Sequence, residues 1–152
     1  MSTPTTTGAG LEGVVAGESE ICYIDGIAGV LRYRGYNIHT LAQHASFEEV
    51  IYLLWNGSLP KQAELDKLKA SLVAHRAIPK PVAEFLGANS DAPPMDILRT
   101  AVSMLSLYDP IARDMTPEAN ELKAVKLMSQ TATIVTTFDR LRKKMAVIEG
   151  DP

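Results

Sequence analysis

The spacing of apolar residues changes along the chain from a strand pattern to a helical one. Two short runs, Glu20–Ile24 and Val30–Tyr33, are rich in β-branched and aromatic residues, which is typical of strands. The turn dipeptide Asp25-Gly26 lies between them, so the pattern predicts a small β-hairpin connected by residues 25–29. From Ile38 onward apolar residues recur at helical steps, which predicts a mainly α fold.

The first well-marked helix is predicted over Phe47–Trp55. Ser46 and Glu49 form a capping box, in which the serine accepts from an early backbone N–H and the glutamate reaches back to the cap. Gly57 should end this helix, because glycine tolerates the left-handed conformation.

Three further helices are predicted before residue 110. One begins at Leu59-Pro60 and is broken by Pro79 and Pro81, and a short one then ends at Gly87. The composition of residues 89–94 favours a loop, and Met95–Leu107 is predicted as the next helix. The side chains expected to be buried are Leu65, Leu68, Leu72 and Val73 in the first helix, and Ile97, Leu98, Ala101, Val102, Met104 and Leu105 in the last.

The longest element is a helix predicted from Pro117 to about Met145, with Thr116 as its N-cap. Its polar side carries few charges, because serine and threonine stand in place of charged residues through the middle of the helix. Small uncharged residues around a helix indicate burial on several sides, here against protein outside a lone monomer. The apolar positions expected to recur along it are Leu122, Val125, Met128, Ala132, Val135, Phe138 and Leu141.

Composition is that of an ordinary globular protein, and it narrows the classes of function. The 152 residues carry a formal net charge of −3, and the run 140–144 is interpreted as a cationic last helical turn, so we expect no nucleic-acid partner. No apolar stretch approaches the ~20 residues of a membrane span, so we expect no membrane partner. Residues 1–10 are expected to be a flexible tail without signal-peptide features, and the cytoplasm is the expected location. The single cysteine, Cys22, is expected to be a buried, inert thiol.

No motif in the sequence makes a convincing active site. The glycines of residues 8–13 spell G-x-G-x-x-G, but a strand should precede and a helix follow that motif, so no cofactor is expected there. His39, His44 and His75 lack zinc-like spacing, and surface or capping roles are favoured over ligand or catalytic roles. Glu48-Glu49 is interpreted as a capping pair at a helix start, and residues 56–58 as a helix C-cap and not a glycosylation site.

Five phrases, in order, resemble the citrate synthase family. They are LEGVVA at residues 11–16, ESEICYIDG at 18–26, LRYRGYNI at 31–38, SFEEVIYLLWNGSLP at 46–60 and PMDILRTAVSML at 94–105. The resemblance implies the N-terminal part of that family's all-α fold, with residues 11–152 forming part of its large domain. Pro93 departs from the pattern, which usually has histidine there. Methylcitrate synthases share the YRGY segment and are the nearest alternative.

The family condenses acetyl-CoA with oxaloacetate to give citrate and free CoA. The resemblance implies that a carboxylate base, two histidines and substrate-binding arginines perform this reaction, within motifs such as GxLHGGAN and GFGHRVY. Neither motif occurs in this sequence, so no catalytic, cofactor-binding or metal-binding residue is assigned. Arg34 and Arg99 lie in matched phrases and are interpreted as structural. The catalytic remainder is expected to be missing, and the chain alone to be inactive.

The resemblance also implies a homo-oligomer, either a dimer or a hexamer built from dimers. Helices 95–107 and 117–145 are the expected subunit interface, in agreement with the sparsely charged long helix. Acetyl-CoA is expected as a substrate, with no covalently bound cofactor. A non-catalytic helical dimerisation module remains the alternative from a different functional class.

Overall fold

The computed structural model describes residues 17–148, which divide into two compact units between Lys61 and Gln62. The predicted tail, the phrase at residues 11–16 and the glycine-rich motif at 8–13 therefore lie outside the described residues. None of the helices in the described part is long and apolar enough to cross a membrane.

The described part of the first unit contains a three-stranded antiparallel sheet and two helices. Strand β1 (Cys22–Asp25) pairs with β2 (Val30–Tyr33), which confirms the hairpin, and β2 also pairs with β3 (Tyr36–Asn37), which was not predicted. Arg34 and Gly35 join β2 to β3 with positive φ angles of 47° and 88°. A two-residue turn with both φ positive matches the twist of antiparallel strands, and this explains the tight reversal.

The two helices of the first unit begin at side-chain caps. Helix α1 (Ile38–His44) follows Asn37, whose side chain accepts from the N–H of His39. Helix α2 (Phe47–Asn56) has the predicted capping box, with both hydrogen bonds between Ser46 and Glu49 present. Gly57 ends α2 at φ 82°, as predicted.

Four helices form the described part of the second unit: α3 (Gln62–Ala74), α4 (Lys80–Ala88), α5 (Pro94–Leu105) and α6 (Pro117–Arg142). Helix α6 packs against the other three, and α4 packs against α5. Threonine caps α6 as predicted, since the Thr116 side chain accepts from the N–H of Ala119. The core consists of Val82, Leu86, Ile97, Ala101, Leu105, Ile134 and Phe138.

Several predicted boundaries were wrong. Helix α4 runs through Gly87 to Ala88, because Gly87 keeps a helical backbone instead of the left-handed one that ends α2. Helix α3 begins at Gln62, three residues after Leu59, and α6 ends at Arg142 with Lys143 as its C-cap. Helix α5 ends at Leu105, two residues before the predicted end.

Two predicted burials were also wrong. Cys22 is exposed, because it begins β1, an edge strand whose first three residues are all exposed. Val73 is 45% exposed, whereas Leu65 and Leu68 of the same helix are buried. The buried face of α3 therefore contains fewer residues than the apolar stripe predicted from the sequence. Leu72, the remaining member of that predicted stripe, is only partly buried.

Candidate functional site

The three histidines have local structural roles or lie on the surface. His39 is exposed, and its backbone N–H donates a hydrogen bond to the side-chain oxygen of Asn37, the N-cap of α1. His44 is exposed in the last turn of the same helix. His75 lies just after α3, with its Nδ1 2.8 Å from the carbonyl oxygen of Ser71. A ring held to its own helix end is a capping group, in line with the prediction for this residue.

The other sequence candidates are also tied to local structure. Glu49 belongs to the capping box of α2, and Asn56 donates from its side chain to the carbonyl of Tyr52 at the end of the same helix. Arg99 pairs with Asp96 one turn earlier on α5, at 2.9 Å. Within residues 17–148, no cluster of three or more histidine, cysteine or acidic side chains could hold a metal ion.

The Arg34 side chain contacts two parts of the first unit that are distant from it in the sequence. Its guanidinium donates to the carbonyl of Leu54 at 3.0 Å and lies 3.8 Å from the exposed carboxylate of Glu20. Leu54 is in the last turn of α2, where carbonyls lack intrahelical partners and the helix dipole is negative. Arg34 therefore acts as a C-terminal cap for α2, which is a structural role as expected. Its Nε is buried without a hydrogen-bond partner.

A half-buried ion pair holds the connection between α5 and α6. Asp109 accepts from Lys126 Nζ at 2.8 Å and from the N–H of Ile111 at 3.1 Å. Burial opposes the charge on Asp109, but these hydrogen bonds and the positive charges of Lys126 and Lys123 outweigh it. The pKa of Asp109 therefore lies below its ordinary value of 3.8. A carboxylate that is ionised near neutral pH cannot donate a proton there, and its lowered pKa makes it a weaker base.

Near the other end of the connection between α5 and α6, Lys123 donates a hydrogen bond to the backbone carbonyl of Asp114. The Asp114 side chain accepts from the N–H of Thr116, and this bond and one with the Thr116 side chain lower the pKa of Asp114. A cavity of about 330 Å³ lies between α5, this connection and α6. Asp109 and Lys126 are 17 positions apart in the sequence, and no sequence motif predicts that they form a pair.

An uncharged, exposed stripe runs along α6. No charged residue occurs between Lys126 and Asp139, and Met128 and Val135 are 37% and 48% exposed. Beside this stripe a groove of about 290 Å³ separates α5 from α6, lined mainly by apolar side chains that include Met95 and Phe138. The helices predicted to form a subunit interface therefore do leave apolar surface uncovered in the monomer.

Comparison with known proteins identifies the family. The family model described as "Citrate synthase, C-terminal domain" matches residues 10–152. The chain is 43% identical over 146 residues to "Citrate synthase 2" of Bacillus subtilis (strain 168), covering 95% of this chain and 39% of the relative. It is 37% identical over 140 residues to "2-methylcitrate synthase" of Mycobacterium tuberculosis (strain H37Rv), covering 91% of this chain and 35% of that protein.

Solved structures show the same fold. The citrate synthase of Pyrobaculum aerophilum matches with a TM-score of 0.84 at 32% identity, over 92% of this chain and 37% of that one. The Thermoplasma acidophilum citrate synthase, in a ternary complex with carboxymethyl coenzyme A and oxaloacetate, matches with a TM-score of 0.85 at 25% identity, over 94% and 38%.

These matches confirm both the resemblance and the expected fold class, which is the all-α fold with a small sheet near the start. The chain spans about two-fifths of the length of the relatives it matches. On the family match over residues 10–152 and the identity to curated relatives, the chain belongs to the citrate synthase family.

Proposed function

We propose that this chain is the N-terminal portion of a citrate synthase, with residues 11–152 forming part of its large domain. The observation that carries the proposal is the family match over nearly the whole chain, at about two-fifths of the relatives' length. The order of the five phrases supports the N-terminal placement. The complete enzyme would be an acyltransferase that supplies citrate to the tricarboxylic acid cycle, in the cytoplasm.

The complete enzyme would condense acetyl-CoA, oxaloacetate and water to give citrate and free CoA. A base must remove a proton from the acetyl methyl group, the resulting enol attacks the oxaloacetate carbonyl, and water cleaves the thioester. A structural relative bound to a coenzyme A derivative and oxaloacetate supports these substrates. In this proposal acetyl-CoA is a substrate, and no cofactor is bound covalently.

The described residues of this chain act as scaffold in that proposal. Its histidines cap helix ends or lie on the surface, and the partly buried carboxylate of Asp109 is paired with Lys126. The catalytic groups would come from the part of the protein that the relatives have and this chain lacks. The chain by itself is therefore proposed to be inactive.

A second candidate activity is that of a 2-methylcitrate synthase, which would use propionyl-CoA. It is favoured by the 37% identity to the Mycobacterium tuberculosis protein of that name. A third candidate is a non-catalytic helical module that only forms dimers. The uncovered apolar stripe of α6 is the observation that favours it.

All three candidates include a homo-oligomer formed through α5 and α6. It is a dimer or a hexamer built from dimers for the two enzymes, and a dimer for the non-catalytic module. The support is physical: exposed Met95, Met128 and Val135 lie on or beside a groove between two long helices. Burying apolar surface of this kind is the main favourable term in stable association.

The test is a chimera that joins this chain to the part of the Bacillus subtilis relative that follows its matched region. Release of free CoA thiol is measured with acetyl-CoA and with propionyl-CoA, each with oxaloacetate. We expect turnover by the chimera and none by the 152-residue chain. A second chimera, joined to the corresponding part of the Mycobacterium tuberculosis relative, is measured in the same way, and turnover by that chimera alone would favour the methylcitrate alternative. A folded, dimeric but inactive chimera would contradict the enzyme proposal and favour the dimerisation module.

A further inference from the structure

The chain reverses direction where α6 ends. The N–H of Lys144 donates to the carbonyl of Leu141, and the N–H of Met145 donates to that of Arg140. These two hydrogen bonds form a Schellman motif, in which the residue after the C-cap takes the left-handed conformation. That residue is usually glycine, but here Lys144 takes it at φ 55°. The described residues that follow, 145–148, turn back along α6 and are called the return segment.

The return segment forms one wall of a cavity of about 460 Å³ in the second unit. Helix α6 supplies the floor through Thr133, Thr136 and Thr137, and the connection between α3 and α4 supplies a second wall. Val147 and Ile148 of the return segment complete the lining. Thr137 is only 8% exposed, so access to this part of the floor depends on what lies over it.

The wall formed by the α3–α4 connection is fixed to α6 by two side chains. Thr133 Oγ1 donates to the carbonyl of Arg76, and Gln130 Nε2 donates to the carbonyl of Ala77, each at 2.9 Å. Both bonds use backbone carbonyls of the connection, which no helix ladder satisfies. This wall and the floor therefore hold together without the return segment.

The return segment is held less firmly than the other walls. Beyond the helix cap, Arg140 Nε donates to the backbone carbonyl of Ala146. Among residues 17–148, no hydrogen bond involves Val147 or Ile148, and these two residues are 47% and 68% exposed. Side chains that stay about half exposed gain only part of the stabilisation that full burial gives.

We propose that the return segment is a lid over this cavity, with Lys144 as its hinge and the hydrogen bond from Arg140 to Ala146 as its latch. The lid is closed in the structure. It opens when Lys144 moves to negative φ, which relieves the backbone strain and loses the latch and the apolar contacts of the segment. Opening uncovers Thr137 while every helix stays folded. The lid does not depend on the enzymatic reaction proposed above.

The test measures how fast iodoacetamide reaches the floor of the cavity. Thr137→Cys in a Cys22→Ser background places the only thiol under the lid, so alkylation requires the lid to open. Ser129→Cys in the same background is the matched control, because Ser129 is 9% exposed on the same helix and lies outside the cavity lining. Global unfolding exposes both thiols, whereas lid opening exposes the thiol at position 137 alone.

Two further changes should move the alkylation rate at position 137 in opposite directions. Arg140→Met keeps a long side chain but removes the latch, so alkylation should become about tenfold faster. Lys144→Gly takes the left-handed conformation without strain, which favours the closed lid, so alkylation should become about threefold to fivefold slower. Neither change should alter the rate at position 129. Equal rates at position 137 with and without these changes would overturn the lid. Parallel changes at position 129 would also overturn it, because they would show that α6 unfolds as a whole.

Discussion

The guanidinium of Arg34 donates a 3.0 Å hydrogen bond to the carbonyl of Leu54, 20 residues further along the chain. The contact links the β2–β3 turn to the end of α2. Arg34 makes it while holding φ at 47°, a conformation that costs a non-glycine residue about 1 kcal/mol or more. The hydrogen bond to a helix C-terminus stabilises a turn that is otherwise strained.

Replacing Arg34 separates these two effects. Arg34→Ala should lower the free energy of unfolding by about 1–2 kcal/mol, because it removes a charged hydrogen bond and keeps the strained backbone. Arg34→Gly also loses the bond but tolerates positive φ, so it should cost about 1 kcal/mol less than the alanine variant. Trp55, the only tryptophan and the neighbour of Leu54, reports urea unfolding by fluorescence. Arg32→Ala, on an exposed site in β2, is the control and should change little. Equal loss in the alanine and glycine variants would show that the turn is unstrained.

Ser46→Ala should destabilise the first unit by about 1 kcal/mol, because the N–H of Glu49 then loses its side-chain acceptor at the start of α2. The same fluorescence signal measures the effect. Ser58→Ala, at an exposed serine just beyond the end of α2, is the matched control and should be neutral. An unchanged urea midpoint for Ser46→Ala would mean that water replaces the cap at no cost.

Leu86→Ala should cost about 2–5 kcal/mol, because the side chain is fully buried in the core of the second unit and its removal leaves a cavity. Val73→Ala changes a side chain that is 45% exposed on α3 and should cost well under 1 kcal/mol. Thermal unfolding followed by circular dichroism compares the two variants. Similar losses for both would contradict the burial pattern described for α3.

Asp109→Asn should destabilise the chain by about 1–2 kcal/mol at pH 7, because Lys126 loses a charged partner at a half-buried site. The pKa of Asp109 is lowered on folding, so the ionised carboxylate stabilises the native state above its ordinary pKa of 3.8. That contribution is lost as the pH falls through the still lower pKa of the folded state. Urea unfolding of wild type and variant at pH 7 and near pH 2 should therefore show a difference that shrinks in acid. Asp91→Asn, at an exposed aspartate, is the control. A constant difference across this range would contradict a lowered pKa.

Some functional features followed from the sequence and others did not. The phrases at residues 31–38 and 46–60 identified the family. The uncharged middle of α6 led to the prediction of a subunit interface, which stays a prediction. The Asp109–Lys126 pair and the contact of Arg34 with Leu54 could not be predicted. Both join residues whose proximity depends on how separate elements pack.

The sequence by itself determined the features that depend on neighbours within one helical turn. The caps at Ser46 and Thr116 and the left-handed Gly57 formed as predicted, because such hydrogen bonds join residues about three or four positions apart.

The tertiary structure alone decided which apolar residues are buried. Ile134 has no exposed surface, whereas the adjacent Val135 is 48% exposed and Cys22 lies open on an edge strand. Burial depends on which faces other elements cover, and a periodic pattern shows that a face is apolar without showing what packs on it.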